Sequence, residues 1–198
     1  MGIFNNQKLA NSKTCICIKY KIALNAKELE QIQYLTENYV CTESLGKKIL
    51  YLPEKNKQYI VDIESKSLKE LDLSAQMMQM NQIKVMIGAI TENVVQDGEI
   101  RNISISNNPE SPAKLKVNLQ IIKYAELEKT AFDVLNQFNQ SIQLYSLSLN
   151  KNEIVKLAES VFTINGQEQK STLMLTEIKN SMENIETIDE YCNYKIVK

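Results

Sequence analysis

Four cysteines and seven methionines carry most of the reactive or polarizable side-chain chemistry of this 198-residue sequence, which contains no histidine. Cys15 and Cys17 are two residues apart, so on a β-strand their thiols share one face. Such a pair can bind a soft metal or form a strained disulfide, but Cys41 and Cys192 stand alone and no second pair completes a tetrahedral site. The pattern therefore favours thiols packed on a strand over a metal centre.

The absence of histidine excludes several kinds of catalytic site. Ser-His-Asp and Cys-His nucleophiles, zinc bound by imidazole and histidine acid–base catalysis all require a residue that the chain lacks. Carboxylates are present but scattered, and neither a G-x-G-x-x-G nor a G-x-S-x-G motif occurs. We therefore expect a protein that is not an enzyme and that uses no cofactor and no metal.

Four of the methionines lie in one stretch, residues 74–90, with the sequence SAQMMQMNQIKVMIGAI. At about 100° per residue, its apolar side chains cover an arc of roughly 240°, which is wider than a surface helix needs. We expect a helix this apolar to be covered by other elements on more than one side. Methionine suits a surface that accepts varied apolar ligands, but it also fills irregular cores, which is its commoner use.

Composition and charge are those of an ordinary globular chain, with 43% hydrophobic residues, 24% charged residues and a net charge of −1. Acidic and basic residues are interspersed, so no basic stripe could follow a phosphate backbone, and we expect no nucleic-acid partner. No run reaches the length of a transmembrane segment. No signal peptide is seen, which predicts a cytoplasmic protein as written, or a periplasmic or cell-envelope protein if an export signal was removed.

The elements that would position these residues begin with strands. Cys15–Leu24 alternates between apolar and polar residues, which predicts a half-buried strand. Residues 29–42 predict a second strand that bends near Thr36, and Gly46 marks a turn. Ser74, or Asp72 just before it, can cap the methionine helix. Further strands are predicted over residues 48–52, 58–64 and 68–73.

The second half of the chain contains two dipeptides typical of hairpin turns, Asp97-Gly98 and Asn165-Gly166. A second helix is predicted over residues 125–140, where apolar side chains recur at i, i+4, i+7, i+8 and i+11. Strands are predicted over residues 94–95, 100–105, 113–123, 142–149, 154–164, 167–179 and 191–197.

These patterns predict an α+β fold, a strongly curved antiparallel β-sheet of about eight to ten strands, or half-barrel, wrapped around two helices. No repeat and no linker divides the sequence. We therefore expect residues 1–198 to form a single half-barrel domain, with residues 1–13 and 180–198 at its periphery.

Three segments, KKILYLPEKNKQYIVDIE, LKELDLS and FTINGQEQKSTLMLTEIK, resemble in pattern and order the bacterial unclosed β-barrel lipoprotein carriers (LolA/LolB/LppX-like). The resemblance covers residues 16–179. It implies a cavity between a strongly curved sheet and its helices, where acyl chains or hydrophobic peptides bind. The chain departs from that class in two respects: no export signal is seen, and residues 185–191 stand where a proline-containing segment is expected.

The methionine helix and the resemblance together predict non-catalytic binding or carriage of an apolar ligand, namely a lipid, an acyl chain or a lipoprotein, in that cavity. The alternative is a protein-interaction or structural domain with a filled core and no small ligand. The oligomeric state is left open. The predicted ligand-binding residues are four methionines of the helix and three tyrosines of the strands: Met77, Met78, Met80, Met86, Tyr34, Tyr51 and Tyr59.

Overall fold

Twelve strands join into one open sheet in the computed structural model, which describes residues 15–141, 143–145, 147, 149–181 and 185–197. The first six strands are β1 (Cys15–Leu24), β2 (Lys27–Leu35), β3 (Val40–Ser44), β4 (Lys47–Leu52), β5 (Lys57–Asp62) and β6 (Ser67–Glu70). The next six are β7 (Ile90–Asp97), β8 (Ile100–Asn107), β9 (Ala113–Lys123), β10 (Glu153–Ile164), β11 (Gln167–Ser181) and β12 (Lys195–Val197). The described helices are α1 (Ser74–Ile87), α2 (Phe132–Ser141) and α3 (Ile185–Tyr191).

The strand order is β12-β6-β5-β4-β3-β2-β1-β11-β10-β9-β8-β7. Neighbouring strands run antiparallel except at one edge, where β12 is parallel to β6. The strands β1–β6 and β7–β11 are therefore two meanders, and the antiparallel pairing of β1 with β11 joins them. The predicted antiparallel sheet with helices is confirmed, with twelve strands rather than eight to ten.

Several hairpin turns are formed by residues with positive φ. Leu45 and Gly46 have φ of 52° and 71°, and Asn165 and Gly166 have φ of 51° and 75°. Positive φ at both central residues is what a type I′ turn requires, and it matches the twist of the flanking strands. The turns predicted at Gly46 and Asn165-Gly166 are confirmed. The hairpin predicted at Asp97-Gly98 is also present, with Gly98 and Glu99 as its two central residues.

The prediction of one bent strand over residues 29–42 is wrong, because the chain reverses there and forms the separate strands β2 and β3. The backbone N–H of Thr36 donates to the carbonyl of Tyr39 at 3.0 Å. The Thr36 hydroxyl oxygen in turn accepts the N–H of Tyr39 at 3.1 Å. This side chain stabilises a turn without glycine or proline, so the composition of the segment gave no turn signal.

Both faces of the sheet carry buried apolar side chains. Val40 and Tyr51, which are paired across β3 and β4, belong to an inner cluster. Cys41 and Leu50, the next pair along, belong to an outer cluster. Because successive side chains of a strand point to opposite faces, these clusters lie on opposite sides of the sheet.

The inner cluster packs against α2 and the 3₁₀ turn that precedes it, Ala125–Lys129. Leu127, Phe132 and Leu135 from these segments are buried over Ile18 of β1. The helix predicted over residues 125–140 is thus present as a 3₁₀ turn followed by α2.

A second inner cluster is built mainly from the strands β8 and β9. Val117 of β9 is buried in it, with Leu115 and Leu119 on the same face of that strand. The end of α1 and Leu147 pack against these strands. The inner face of the sheet therefore carries two clusters, the first around β1 and its neighbours and the second on β8 and β9.

The outer cluster is covered by α3, which the sequence did not predict. Ile188, Tyr191 and Cys192 are buried against β3, β4 and β5. The Tyr39 hydroxyl, just before β3, donates a hydrogen bond to the Asp189 carboxylate. The tail beyond residue 180, expected at the periphery, therefore supplies the cover of one sheet face.

The expectation that the methionine helix is covered on more than one side is wrong for most of α1. Ile87 is buried, but Met78 is 66% exposed and Val85 is 83% exposed. Only the last turn of α1 packs on the sheet, through Ile83, Met86 and Ile87. The position over the centre of the sheet is occupied by α2, whose apolar residues form a more compact stripe.

The strand predicted over residues 142–149 is not present where the chain is described. Gln143, Leu144 and Tyr145 form a bend, while residues 142, 146 and 148 lie outside the described residues. The bounds of β9, β10 and β11 agree with the predicted strands within two residues. None of the helices in the described ranges is long and apolar enough to span a bilayer.

Candidate functional site

A cavity of about 200 Å³ lies where the two inner clusters meet. Its floor is the inner face of the sheet, and its cover is α2 with the chain that follows it. Ala158 of β10 faces Leu173 of β11 in the ladder, so the two side chains share this face although they belong to different clusters. Tyr20 of β1 and Gln33 of β2 also line the cavity, so it spans the junction of the two meanders.

One part of the cavity wall is apolar. It is formed by side chains from β9, β10 and β11 and by two leucines that follow α2: Leu119, Val155, Ala158, Leu173, Leu147 and Leu149. Aliphatic side chains offer no hydrogen bonds, so this part favours hydrocarbon over water.

The other part is rich in amides. Helix α2 contributes Asn136, Asn139 and Gln140, which are spaced i, i+3 and i+4 and so lie on one helix face. Strand β2 contributes Gln31 and Gln33. The cavity thus has one hydrocarbon wall and one wall of neutral hydrogen-bonding groups.

Gln33 is the most buried of these amides, with 8% of its surface exposed. It pairs across the ladder with Ile18, which is fully buried, and it shares the inner face with Leu35. Its Oε1 atom is buried and has no hydrogen-bond partner. A buried amide oxygen without a partner costs about 1–3 kcal/mol, so such a group calls for an explanation.

Gln143 has the same property and lines the same cavity. Its Oε1 atom is also buried without a partner. Its backbone N–H donates to the carbonyl of Gln140 at 3.4 Å, which fixes the residue at the end of α2. The residues that line the cavity thus include two acceptor atoms without a hydrogen-bond partner.

Three aromatic side chains complete the lining, Tyr20 of β1, Phe132 of α2 and Tyr145. Burial raises the pKa of both phenols above the ordinary value of 10. Both side chains are therefore neutral at physiological pH. Among the described residues that line the cavity, none carries a charge.

A larger groove of about 920 Å³ lies on the other side of α2. It is lined by Val134 and Phe138 of that helix and by Met77 near the start of α1. Charged Lys57 and Glu70 form an ion pair at 2.8 Å on its rim. This groove therefore has charged side chains in its lining, whereas the described lining of the cavity has none.

The seven residues predicted to bind ligand are not brought together. Met77 lines the groove, and Tyr51 lies beside it with its ring 5.2 Å from that of Phe138. Met78 faces solvent, Met86 packs on the second inner cluster, and Met80 is half-buried in α1. Tyr34 and Tyr59 pack in or against the outer cluster, on the opposite face of the sheet.

The four cysteines are all buried, and none of them forms a disulfide bond among the described residues. Burial raises the pKa of Cys41 and that of Cys192 to about 12, and it raises the pKa of Cys15 to about 11. The thiols of these three residues are therefore protonated at neutral pH and are poor nucleophiles. Within the described ranges, no group of three or more Cys, Asp or Glu residues could hold a metal ion.

The cavity residues were missed because Gln31 and Gln33 look like the solvent face of an alternating strand. Their flanking residues at i±2, Leu29 and Leu35, carry the signal that this parity faces inward. A second signal is that residues 134–150 contain no charged side chain, in a chain where 24% of residues are charged. An uncharged polar stretch of this length is typical of a segment that faces a protein interior.

No family model matches the chain, and no curated protein matches it. The crystal structure of MucB in complex with MucA(peri) matches with 10% identity and a TM-score of 0.42, over 98% of this chain and 60% of that chain. A DUF1329 family protein from Desulfovibrio piger matches with 8% identity and a TM-score of 0.41, over 96% and 95% of the two chains.

A third solved structure is a domain assigned to outer membrane lipoprotein sorting, from Vibrio parahaemolyticus. It matches with 7% identity and a TM-score of 0.32, over 93% of this chain and 95% of that chain. This chain therefore spans only 60% of the MucB chain but nearly the whole of the other two. The structural matches thus include a lipoprotein-sorting domain, the class that the sequence pattern resembles.

Proposed function

We propose that the protein binds, without catalysis, the apolar part of a lipid or acyl chain in the cavity between the sheet and α2. The observation that carries this proposal is the aliphatic wall formed by β9, β10, β11 and the chain after α2. An apolar wall of this kind loses favourable contacts when it is empty and gains them when hydrocarbon fills it. We further propose that the protein carries such a ligand from one partner to another.

The connection from β6 to β7 supports a half-barrel around this cavity. The two strands are ten strand spacings apart in the sheet, which is about 48 Å if the sheet is flat. The chain from Glu70 to Ile90 includes the 14 residues of α1. Even with its other links fully extended, it reaches at most about 44 Å. This limit on the reach of the chain supports a curved sheet, whose two edges lie closer together than in a flat one.

The cavity volume limits how much ligand it can hold. An aliphatic cavity of about 150 Å³ binds benzene, so about 200 Å³ accommodates a short hydrocarbon segment rather than a whole lipid. Burying about six methylene groups would contribute about 5 kcal/mol. We therefore propose that one end of a chain is buried while the rest extends towards solvent.

Native mass spectrometry of the purified protein, followed by solvent extraction, tests whether a lipid is retained. Ala158→Phe would fill the cavity from the floor, and we expect it to abolish retention while the circular dichroism spectrum stays unchanged. Ala158→Leu is the smaller variant to use if the phenylalanine prevents folding. Met77→Gln, which alters the groove instead, is the matched control.

The outcomes separate the two sites. Loss of lipid in the Ala158 variants alone supports the cavity. Loss in Met77→Gln alone would move the site to the groove. A protein that carries no lipid and binds no added hydrocarbon chain would contradict the proposal.

A second candidate function is recognition of a protein partner by α1. Met78 and Val85 are more than half exposed on this helix, and large apolar side chains at such positions are common in binding surfaces. Selection of peptides from a random library against the intact protein tests this candidate. Peptides that bind the protein but not its Met78→Lys variant would support it, and an absence of such peptides would contradict it.

A further inference from the structure

The chemistry of the cavity restricts the polar end of its ligand. Its described lining contains amides, two phenols, the phenyl ring of Phe132 and aliphatic side chains, and no Lys, Arg, Asp or Glu. A carboxylate or phosphate buried here would lack a cationic partner, and an ammonium group would lack an anionic one. Burying an unpaired charge is strongly unfavourable, so the cavity selects against charged ligands.

The two unsatisfied amide oxygens define what the cavity favours. Gln33 and Gln143 approach it from different sides, one from the sheet and one from the end of α2. Each presents a buried Oε1 atom without a partner. A ligand that donates hydrogen bonds to these atoms would remove the penalty that they impose on the unliganded protein.

We infer that the ligand is an uncharged amphiphile whose polar group is a hydroxyl. This inference rests on the proposed function and specifies the ligand class for the same cavity. A hydroxyl donates to an amide oxygen and accepts from an amide nitrogen, so it satisfies a glutamine side chain in either orientation. The hydrocarbon part lies against the aliphatic wall, and the hydroxyl lies against Gln33 and Gln143.

Three probes with the same ten-carbon chain test the inference: decan-1-ol, decanoate and decylammonium. Isothermal titration calorimetry with the full chain at pH 7.5 keeps the acid deprotonated and the amine protonated. We expect decan-1-ol to bind at least about tenfold more tightly than either charged probe, because only the charged probes must bury an unpaired charge.

Substitution of the amides supplies the second part of the test. Gln33→Leu should weaken decan-1-ol binding about tenfold, because the hydroxyl of decan-1-ol loses one hydrogen-bond acceptor. Gln143 lies outside the sheet, so Gln143→Leu is the variant to use if Gln33→Leu does not fold. Gln58→Leu, in the groove on the other side of α2, is the matched control and should leave the affinity unchanged.

Each outcome separates this inference from the proposed function. Equal or tighter binding of a charged probe would overturn the inference while leaving hydrocarbon binding in place. A preference for decan-1-ol that survives both Gln33→Leu and Gln143→Leu would also overturn it. If none of the three probes binds, the proposed function fails as well.

Discussion

Gln33 is expected to make the unliganded protein less stable than it would be with an apolar residue at this position. Its side chain lies on the inner face of β2, opposite the fully buried Ile18, and its Oε1 atom has no partner. Gln33→Leu removes the unsatisfied acceptor and places an aliphatic side chain next to Leu35. We therefore expect the substitution to raise the free energy of unfolding.

The size of this increase in the free energy of unfolding follows from two opposing contributions. Removal of a buried acceptor without a partner relieves about 1–3 kcal/mol. Imperfect fit of a branched side chain at a site shaped for glutamine offsets part of that gain, typically by less than about 1.5 kcal/mol. The net increase should be about 1 kcal/mol, which corresponds to about 2–4 °C in Tm for a chain of this size.

Urea denaturation followed by circular dichroism measures this difference. Gln31→Leu is the matched control, because Gln31 lies on the same strand and face but has no oxygen that is both buried and unpartnered. We expect the control to change the free energy of unfolding by less than about 0.5 kcal/mol. A Gln33→Leu variant no more stable than the wild type would refute the reasoning, since it would mean that the oxygen is satisfied.

Three further predictions concern contacts outside the cavity. Glu153 is 4% exposed and accepts hydrogen bonds from Arg101 at 2.5 Å and from a backbone N–H, so Glu153→Gln should lower the free energy of unfolding by about 3 kcal/mol. Burial opposes ionisation of Glu153, but these bonds outweigh it and lower its pKa below 4.5. The stability that Glu153 contributes should therefore be present above pH 4.5 and lost as the pH falls through the lower folded pKa, in urea titrations at several pH values. Gly166→Ala should destabilise by about 1–2 kcal/mol in the same urea assay, because φ is 75° there. Tyr39→Phe removes the bond to Asp189 and should speed hydrogen exchange in α3.

Each of these predictions has an outcome that contradicts it. Equal stability of Glu153→Gln and wild type at pH 7 would mean that the ion pair makes no net contribution to the free energy of unfolding. A Gly166→Ala variant as stable as the wild type would mean that the turn relaxes without strain. Unchanged exchange in α3 would show that apolar contacts alone hold this helix to the sheet.

The strands were predictable where one face is apolar and the other polar. The bounds of β1 and β9 match their alternation. The polar face of β9 lies in water, whereas on β1 the two cysteines of that face are buried and its lysines extend towards solvent. The helix α3 was not predictable in this way, since its apolar residues are few and its partners, Tyr39 and Cys41, lie about 150 positions away. Only the folded sheet brings them together.

The site was harder to predict than the strands. Methionine content drew attention to α1, but an apolar arc does not reveal which element occupies the centre of the sheet. Gln33 is polar in a buried position, so any rule that places polar residues outside assigns it to the wrong face. Its inward direction follows from Leu29 and Leu35, and its lack of a partner follows only from the three-dimensional arrangement.

The pairing of β1 with β11 has a consequence for the order in which the chain folds. Within each meander the strands that follow one another along the chain pair with each other, whereas the pairing of β1 with β11 places Cys15 opposite Ser181. Contacts so distant in sequence close a long loop and form slowly. The cavity draws Gln33 from one meander and Leu119 from the other, so it exists only once the two have joined. A ligand that fills it should slow the separation of the meanders and leave the rate at which each one forms unchanged.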